Sequence, residues 1–252
     1  MFAIELAGVP IAVSARYPLM SRLCRDFTVN IPTSNCAFSI KATDGDIASM
    51  RKLLTKTEPS MKENAIIPSF KPDYCECMAL YLQACNRLLE FDTLFLHAAV
   101  IEHKGYAYAF TAPSGTGKST HAKLWLDNNN NGNTSIINGD KPLLHLEHDC
   151  FVAYGSPLTG KENWGNNTNA PLKAICFIER SMTDRLERLK DESIILKKIS
   201  TQLHYYTKAQ SAAKQLLLLD KLIQTVDFYT LKCTQNISAY YEALKMTEPS
   251  CS

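Results

Sequence analysis

The sequence predicts a mixed α/β protein, a mixed sheet carrying a P-loop, with a small N-terminal α/β elaboration ahead of it. Three observations carry that expectation. TAPSGTGKST, Thr111 to Thr120, joins a strand-like run to a helical one through a Gly/Ser-rich turn. The apolar runs TLFLHAAVIE and YAYAFTA stand on either side of His103-Lys104-Gly105, which suits a tight hairpin. The tail alternates helix, strand and helix in AAKQLLLLDKLIQTV, DFYTLKC and ISAYYEALKM.

Taken in order, IAVSA and CAFSIKA alternate in strand fashion, and DIASMRKLLTK reads as a helix capped by Asp44 or Asp46. ENAIIPSFKP is a connection, with Pro68 and Pro72 as breakers. DYCECMALYLQACNRLLEF sets Met78, Leu82, Cys85 and Leu89 near helical spacing. Residues 1–92 are thus an N-terminal α/β lobe, either a recognition lobe or a cover for the sheet. Residues 93–252 are the P-loop domain.

In that domain the strand feeding the loop runs antiparallel to the strand before it, whereas simpler nucleotide-binding folds reach this loop from a parallel βαβ unit. STHAKLWLD follows as the first helix. TSIING is a short apolar run ending at Asp140, PLLHLEH and CFVAYGS suggest a second hairpin, LKAICFIER is a buried strand, and DRLERL an edge strand. NNNNGN, Asn128 to Asn133, reads as a solvent loop.

Composition narrows the function class. The net charge of +2 over 252 residues, without a basic stripe, advertises neither nucleic acid nor anionic lipid. The apolar runs fall well short of the roughly 18 residues of a spanning helix. Glu5 interrupts the N-terminal apolar stretch, so a secretion signal is not expected. Nine cysteines without a repeated C-x-x-C suit a reduced cytoplasm, and Cys75 and Cys77 read as buried thiols.

The loop carries the chemistry. Gly115 and Gly117 let backbone approach phosphate oxygens, and the amides from about Gly115 to Ser119 would point inward at a helix N-terminus. Ser114, Gly115, Thr116, Gly117, Lys118, Ser119 and Thr120 are therefore the nucleotide-binding candidates. Lys118 would reach the β- and γ-phosphates, and the Ser119 hydroxyl would ligate Mg²⁺. Ala112 stands where the strict pattern has its first glycine, a tolerable change at a strand end, and Pro113 precedes the useful donors.

A magnesium bound at such a loop needs an acid, and Asp140 stands where one belongs, although Gly139-Asp140 also suits a plain bend. His97 sits mid-strand in LFLHAAV, either a satisfied core residue or, through the hairpin pairing, a neighbour of Thr111 and Ala112. SPLTGKENWGNN, with Lys161, Glu162 and Asn163 between glycines, is either a loop closing on substrate or an ordinary surface loop. Arg180 either reaches the nucleotide or pairs at the surface, and His121, Arg185 and Arg188 read as structural or solvated.

These blocks resemble the HPr kinase/phosphorylase group, and more loosely the ATP-type phosphoenolpyruvate carboxykinases. LHAAV, the hairpin into Ser114–Ser119, and IINGD match together and in order. The likeness is greatest to HPr-kinase-related proteins found near ribosomal peptide modification genes, over LHAAVIEHKGYAYAFTAPSGTGKSTHAKLW and NGDKPLL. The resemblance implies a carboxykinase-type core over residues 93–252, using ATP and Mg²⁺ to phosphorylate a hydroxyl of a protein or precursor peptide, most often serine. It implies His97 at the metal or reacting phosphate, Ser119 and Asp140 as metal ligands, a cytoplasmic setting and a homo-oligomer. HPr kinases carry paired aspartates where this chain has Gly139-Asp140, which leaves Asp140, His97 or Glu162 as proton acceptor, or a nucleotide-binding module with little turnover. A small hydroxylated metabolite is the other acceptor class.

Overall fold

Ala7 and Gly8 both take positive φ, 50° and 73°, and the turn they make folds the N-terminal apolar stretch into an antiparallel hairpin. Its strands are β1 (Phe2–Leu6) and β2 (Val9–Ser14), and β3 (Phe38–Lys41) adds parallel to β2. The computed structural model describes residues 1–57, 71–129, 132–206 and 208–248. The connection ENAIIPSF and two asparagines of NNNNGN lie outside them.

The chain divides into two compact units, Met1–Phe91 and Asp92–Ser252. In the first, the helices α1 (Pro18–Leu23), α2 (Asp44–Thr57) and α3 (Pro72–Leu88) accompany the small sheet among the described residues. The cap of α2 differs from the expected Asp44 or Asp46. Thr43 Oγ1 accepts from the Asp46 amide, while the Asp46 carboxylate accepts from the Thr43 amide and hydroxyl, so Asp46 is the reciprocal partner of a threonine cap. Pro72 opens α3, where a missing N–H costs nothing. The deepest face of α3 is Cys77, Leu80, Ala84 and Leu88, with Met78 and Leu82 only half-buried. Burial pushes the Cys77 thiol up to about 12, which leaves it an inert core residue. The buried Glu76 accepts from the Arg16 and Tyr17 amides at 2.8 and 2.9 Å, so its carboxylate ties α3 to the end of β2.

The second unit begins with β4 (Thr93–Phe95), β5 (Ala98–His103) and β6 (Tyr106–Thr111), the last two joined by the expected hairpin, with Lys104 and Gly105 at positive φ. TLFLHAAVIE is two strands, not one. The chain leaves β4 at Leu96–His97 and changes strand partners there, because β4 pairs with β8 (Leu143–Glu147) while β5 pairs with β6. His97 therefore sits in a break, not mid-strand.

Then follow α4 (Lys118–Asp127), β7 (Thr134–Asn138), β9 (Cys150–Tyr154), β10 (Asn169–Arg180) and β11 (Arg185–Leu189). The tail is α5 (Glu192–Ser200), α6 (Ala209–Thr225), β12 (Asp227–Cys233) and α7 (Ile237–Leu244). The long β10 is the seam. Its first residues pair antiparallel with β9, extending β4-β8-β9. Beyond a register shift at Leu172/Ala174 it lies parallel to both β6 and β12, within the order β7-β5-β6-β10-β12-β11. The result is one curled mixed sheet of an α/β fold. β11 pairs only with β12, the edge strand expected of DRLERL.

Under α4, Trp125 is fully buried, stacked with Tyr108 and edge-on to His103 and Tyr240. Its indole N–H donates to His121 Nε2 at 3.2 Å. Burial pushes the His121 imidazole down to about 4, against the raising influence of Asp184. Below the unfolded value near 6.5 the unfolded chain takes up a proton that the folded chain refuses, so stability falls as pH drops from about 6.5 to 4. This group accounts for about 3 kcal/mol of that loss. Chemical denaturation at pH 7 and pH 4.5 should show a distinctly shallower acid loss in His121→Phe than in the wild type, whatever its absolute stability; equal losses refute the assignment.

Candidate functional site

Between Thr111 and α4 the chain turns in six residues. Thr116 N donates to Pro113 O at 3.2 Å, and His121 N to Gly117 O at 2.9 Å as the helix begins. Gly115 and Gly117 have φ of 76° and 126°, conformations a residue with a Cβ rarely adopts. Nothing lies within 4 Å of a Cβ built on either, so backbone conformation rather than space demands glycine there. Ala112, buried, simply ends the strand run.

Lys118 is 8% exposed, and its Nζ donates to Ala112 O at 3.0 Å. Burial lowers its ammonium from the ordinary value; Asp140 and Glu162 pull it back up, and Lys141 adds to the lowering. On the other flank, Arg180 at the end of β10 donates from Nε to Thr116 O at 3.1 Å and from its terminal nitrogen to Gly115 O. It braces the turn by its carbonyls rather than by its amides. Glu179 turns away to pair with Lys198 at 2.6 Å. Ser119 and Thr120 follow on the first turn of α4, half-buried and exposed, and Ser114 is exposed.

The pairing Ala98↔Thr111 brings the β4–β5 break beside the turn, and Thr111 Oγ1 donates to His97 O at 2.8 Å. His97 Nε2 stands 3.2 Å from Asp140 Oδ1, and Lys141 Nζ 3.5 Å from Asp140 Oδ2. Burial alone would raise the Asp140 carboxyl; the contact with His97 and the charges of Lys141 and Lys118 outweigh it and hold the group below its ordinary value. Asn138 aims the aspartate. Its side-chain oxygen accepts from the Asp140 and Lys141 amides at 2.9 and 2.7 Å, and its amide nitrogen is fixed by Ser156 and Leu158. That is an Asx turn, the bend chemistry and the acid being one device.

Residues 155–166 cover this corner. Gly139 N donates to Trp164 O at 2.7 Å and Asn166 N to Ile137 O at 3.1 Å, so the loop is pinned at its far end while Lys161, Glu162 and Asn163 stay exposed. A Cβ on Gly160, which has φ 78°, would lie 2.9 Å from Asp140 Cβ and 3.6 Å from Glu162 Oε2. Glu162 and Asp140 thus flank one point. A Cβ on Gly139 would meet the carbonyls of Thr159 and Trp164 at 3.0 and 3.1 Å. Gly139→Asp should push the loop off and lower the melting temperature by about 2–8 °C, given a cost of about 1–2 kcal/mol from the strained contact. It should not raise any phosphoryl-transfer rate; thermal unfolding and turnover measured together check both.

The sequence-predicted Lys118, Asp140, His97 and Glu162 are therefore neighbours. Two participants were not singled out: Lys141, and Asn138 as the aiming residue. Lys141 sat in the quoted NGDKPLL; nothing local signals the other role. Among the described residues no three His, Cys, Asp or Glu gather as a metal cage, and no helix is long and apolar enough to cross a membrane.

No family model matches the chain, and no curated protein sequence matches it significantly. Among solved structures, the HPr(Ser) kinase/phosphatase from Coxiella burnetii is similar at 10% identity over 61% of this chain and 91% of that one, with a TM-score of 0.33. So distant a superposition transfers no role to any residue.

Proposed function

We propose that this chain is an ATP-dependent kinase that transfers the γ-phosphoryl group to a hydroxyl, most readily a serine of a protein or precursor peptide. The observation that carries the reading is the convergence of a buried lysine and two carboxylates, Lys118, Asp140 and Glu162, at the mouth of a strand–turn–helix. Residues Ser114–Thr120 would cradle the phosphates, and Lys118 would leave the Ala112 carbonyl for the β- and γ-phosphates. Magnesium, when bound, neutralises developing charge on the transferring phosphoryl. Ser119 and Asp140 are a hard oxygen pair, the number of protein ligands Mg²⁺ takes when phosphates and waters complete its shell.

The remaining steps belong to side chains of this chain. Glu162, exposed and near Asp140 across Gly160, accepts the acceptor hydroxyl's proton. The hydroxyl oxygen bonds to the γ-phosphorus as the bond from that phosphorus to the β-bridging oxygen breaks, and ADP leaves with the electron pair. His97 holds Asp140 in place. Gly139 leaves no room for a second aspartate in the turn, which favours Glu162 as base and also keeps alive a nucleotide-binding module without turnover.

The test is incubation with Mg-ATP and seryl peptides, including precursor peptides encoded beside the gene, with free serine as a small-molecule control and mass spectrometry for a phosphate adduct. An adduct on a peptide supports the reading. Tight Mg-ATP binding with no adduct on any acceptor replaces it with the binding module, and an adduct on free serine alone with a metabolite kinase.

A further inference from the structure

Lys118 Nζ is bonded to the Ala112 carbonyl, and His97 Nε2 faces Asp140 Oδ1. Lys141 is placed differently from both. Its main chain is held at each end: the amide donates to Asn138 Oδ1 at 2.7 Å, and the carbonyl accepts from the Ser156 hydroxyl at 2.6 Å. Its ammonium stands 3.5 Å from Asp140 Oδ2, beyond good hydrogen-bond range, and donates no hydrogen bond among the described residues. A rigid base thus carries a head group with three donors unspent.

An exposed lysine on a free stem would be screened by water and contribute little. The Lys141 side chain is only 32% exposed, and the Asn138–Ser156 pair that fixes its backbone also aims Asp140. Acid and ammonium are therefore presented as one unit. Nor does Asp140 depend chiefly on Lys141. Burial would raise the carboxyl, and His97 on the other oxygen is the largest influence holding it down, ahead of Lys141. Burial is also the main cause that lowers the Lys118 ammonium, and Lys141 adds to it, so the two charges share one space. Once Asp140 is engaged in metal ligation, the Lys141 ammonium loses its ion-pair partner and is free for the nearest anion.

We propose that Lys141 is a second catalytic cation, donating to a non-bridging oxygen of the γ-phosphoryl as the acceptor oxygen bonds to the phosphorus and the bond to the β-bridging oxygen breaks. The inference rests on the kinase reading and deepens it by naming a group that acts on the transferring phosphoryl alone. No proton leaves the ammonium; it supplies charge and hydrogen bonds that strengthen as the transition state forms. Lys118 acts from the first turn of α4 and Lys141 from the turn after β7, so the phosphoryl is held between two separate elements.

Equilibrium binding tests this without a known acceptor. Mg-ADP with aluminium fluoride presents a mimic of the transferring phosphoryl, and Mg-ADP alone does not. In calorimetric titrations the wild type should bind Mg-ADP at least about tenfold more tightly when aluminium fluoride is present. Lys141→Met should lose most of that gain while its affinity for Mg-ADP alone stays within about threefold of the wild type. Lys141→Arg, which keeps the charge, should keep most of the gain. If Lys141 serves only as a partner of Asp140, Lys141→Met keeps the full gain and only its Mg²⁺ dependence moves, which overturns the proposal. A wild type that binds Mg-ADP with no fluoride gain also overturns it and leaves the nucleotide-binding module standing. If the wild type binds neither Mg-ADP nor Mg-ATP, the kinase reading fails and this inference with it.

Discussion

Lys118→Ala should reduce phosphoryl transfer by about 10²–10³-fold, the usual loss when one preorganised charge stabiliser is removed. The ammonium is nearly buried and has a carbonyl rather than a carboxylate as its direct partner. Desolvating it is unfavourable, so its presence is costly to the empty protein. The variant should therefore keep its melting temperature within about 2–4 °C of the wild type, a shift corresponding to about 1 kcal/mol in a chain of this size. A lysine with a structural role would show the opposite pattern, a large loss of stability. Thermal unfolding and single-turnover phosphorylation of one preparation distinguish the two; unchanged turnover removes Lys118 from the site.

Asp140→Asn should lower turnover by about 10²-fold or more and shift its dependence on Mg²⁺ to higher concentrations. The amide keeps the shape and the Asx turn at Asn138, so the backbone geometry should persist. What it loses is the charge facing His97, Lys141 and Lys118. The Lys118 and Lys141 ammonium groups would then stand there without their carboxylate, and ATP binding in the absence of metal should strengthen, not weaken. Titration of turnover against Mg²⁺, with metal-free ATP binding as the second readout, checks the assignment. A variant with wild-type metal dependence would show that Asp140 is only the bend residue its sequence also suits.

Much of this corner was legible in the sequence because its determinants are local. Two glycines forced to positive φ, a hairpin at Lys104-Gly105 and a helix opening at Lys118 all follow from short-range chemistry. The pairing of that hairpin then puts position 97 beside Thr111, which is why one histidine could be carried to the loop across fourteen residues. Local signals failed where distant segments decide. The break at Leu96–His97 exists because β4 and β5 have different partners, and in β8 the partner of Phe95 is Leu143, far along the chain. The hairpin at Ala7-Gly8 was obscured because Ala7 is not a residue expected at φ 50°. The closeness of Gly139 and Asp140 to the cover loop depends on three-dimensional contacts that no spacing encodes.

The placement of β10 affects how the protein can be made. The chain emits the turn and α4 well before the strand that braces them, since Thr111 pairs with Phe177, and Phe177 in turn with Thr230. Parallel pairings between such distant segments close late and slowly. Until β10 arrives, Arg180 is missing from the turn's carbonyls, and until β12 arrives β10 lacks its second neighbour. During synthesis the loop is thus an unbraced segment, and a nucleotide cannot select for it early. On the proposed kinase reading, ligand binding would reward only chains in which all three parallel strands have zipped, so nucleotide occupancy would report completed folding rather than aid its first steps.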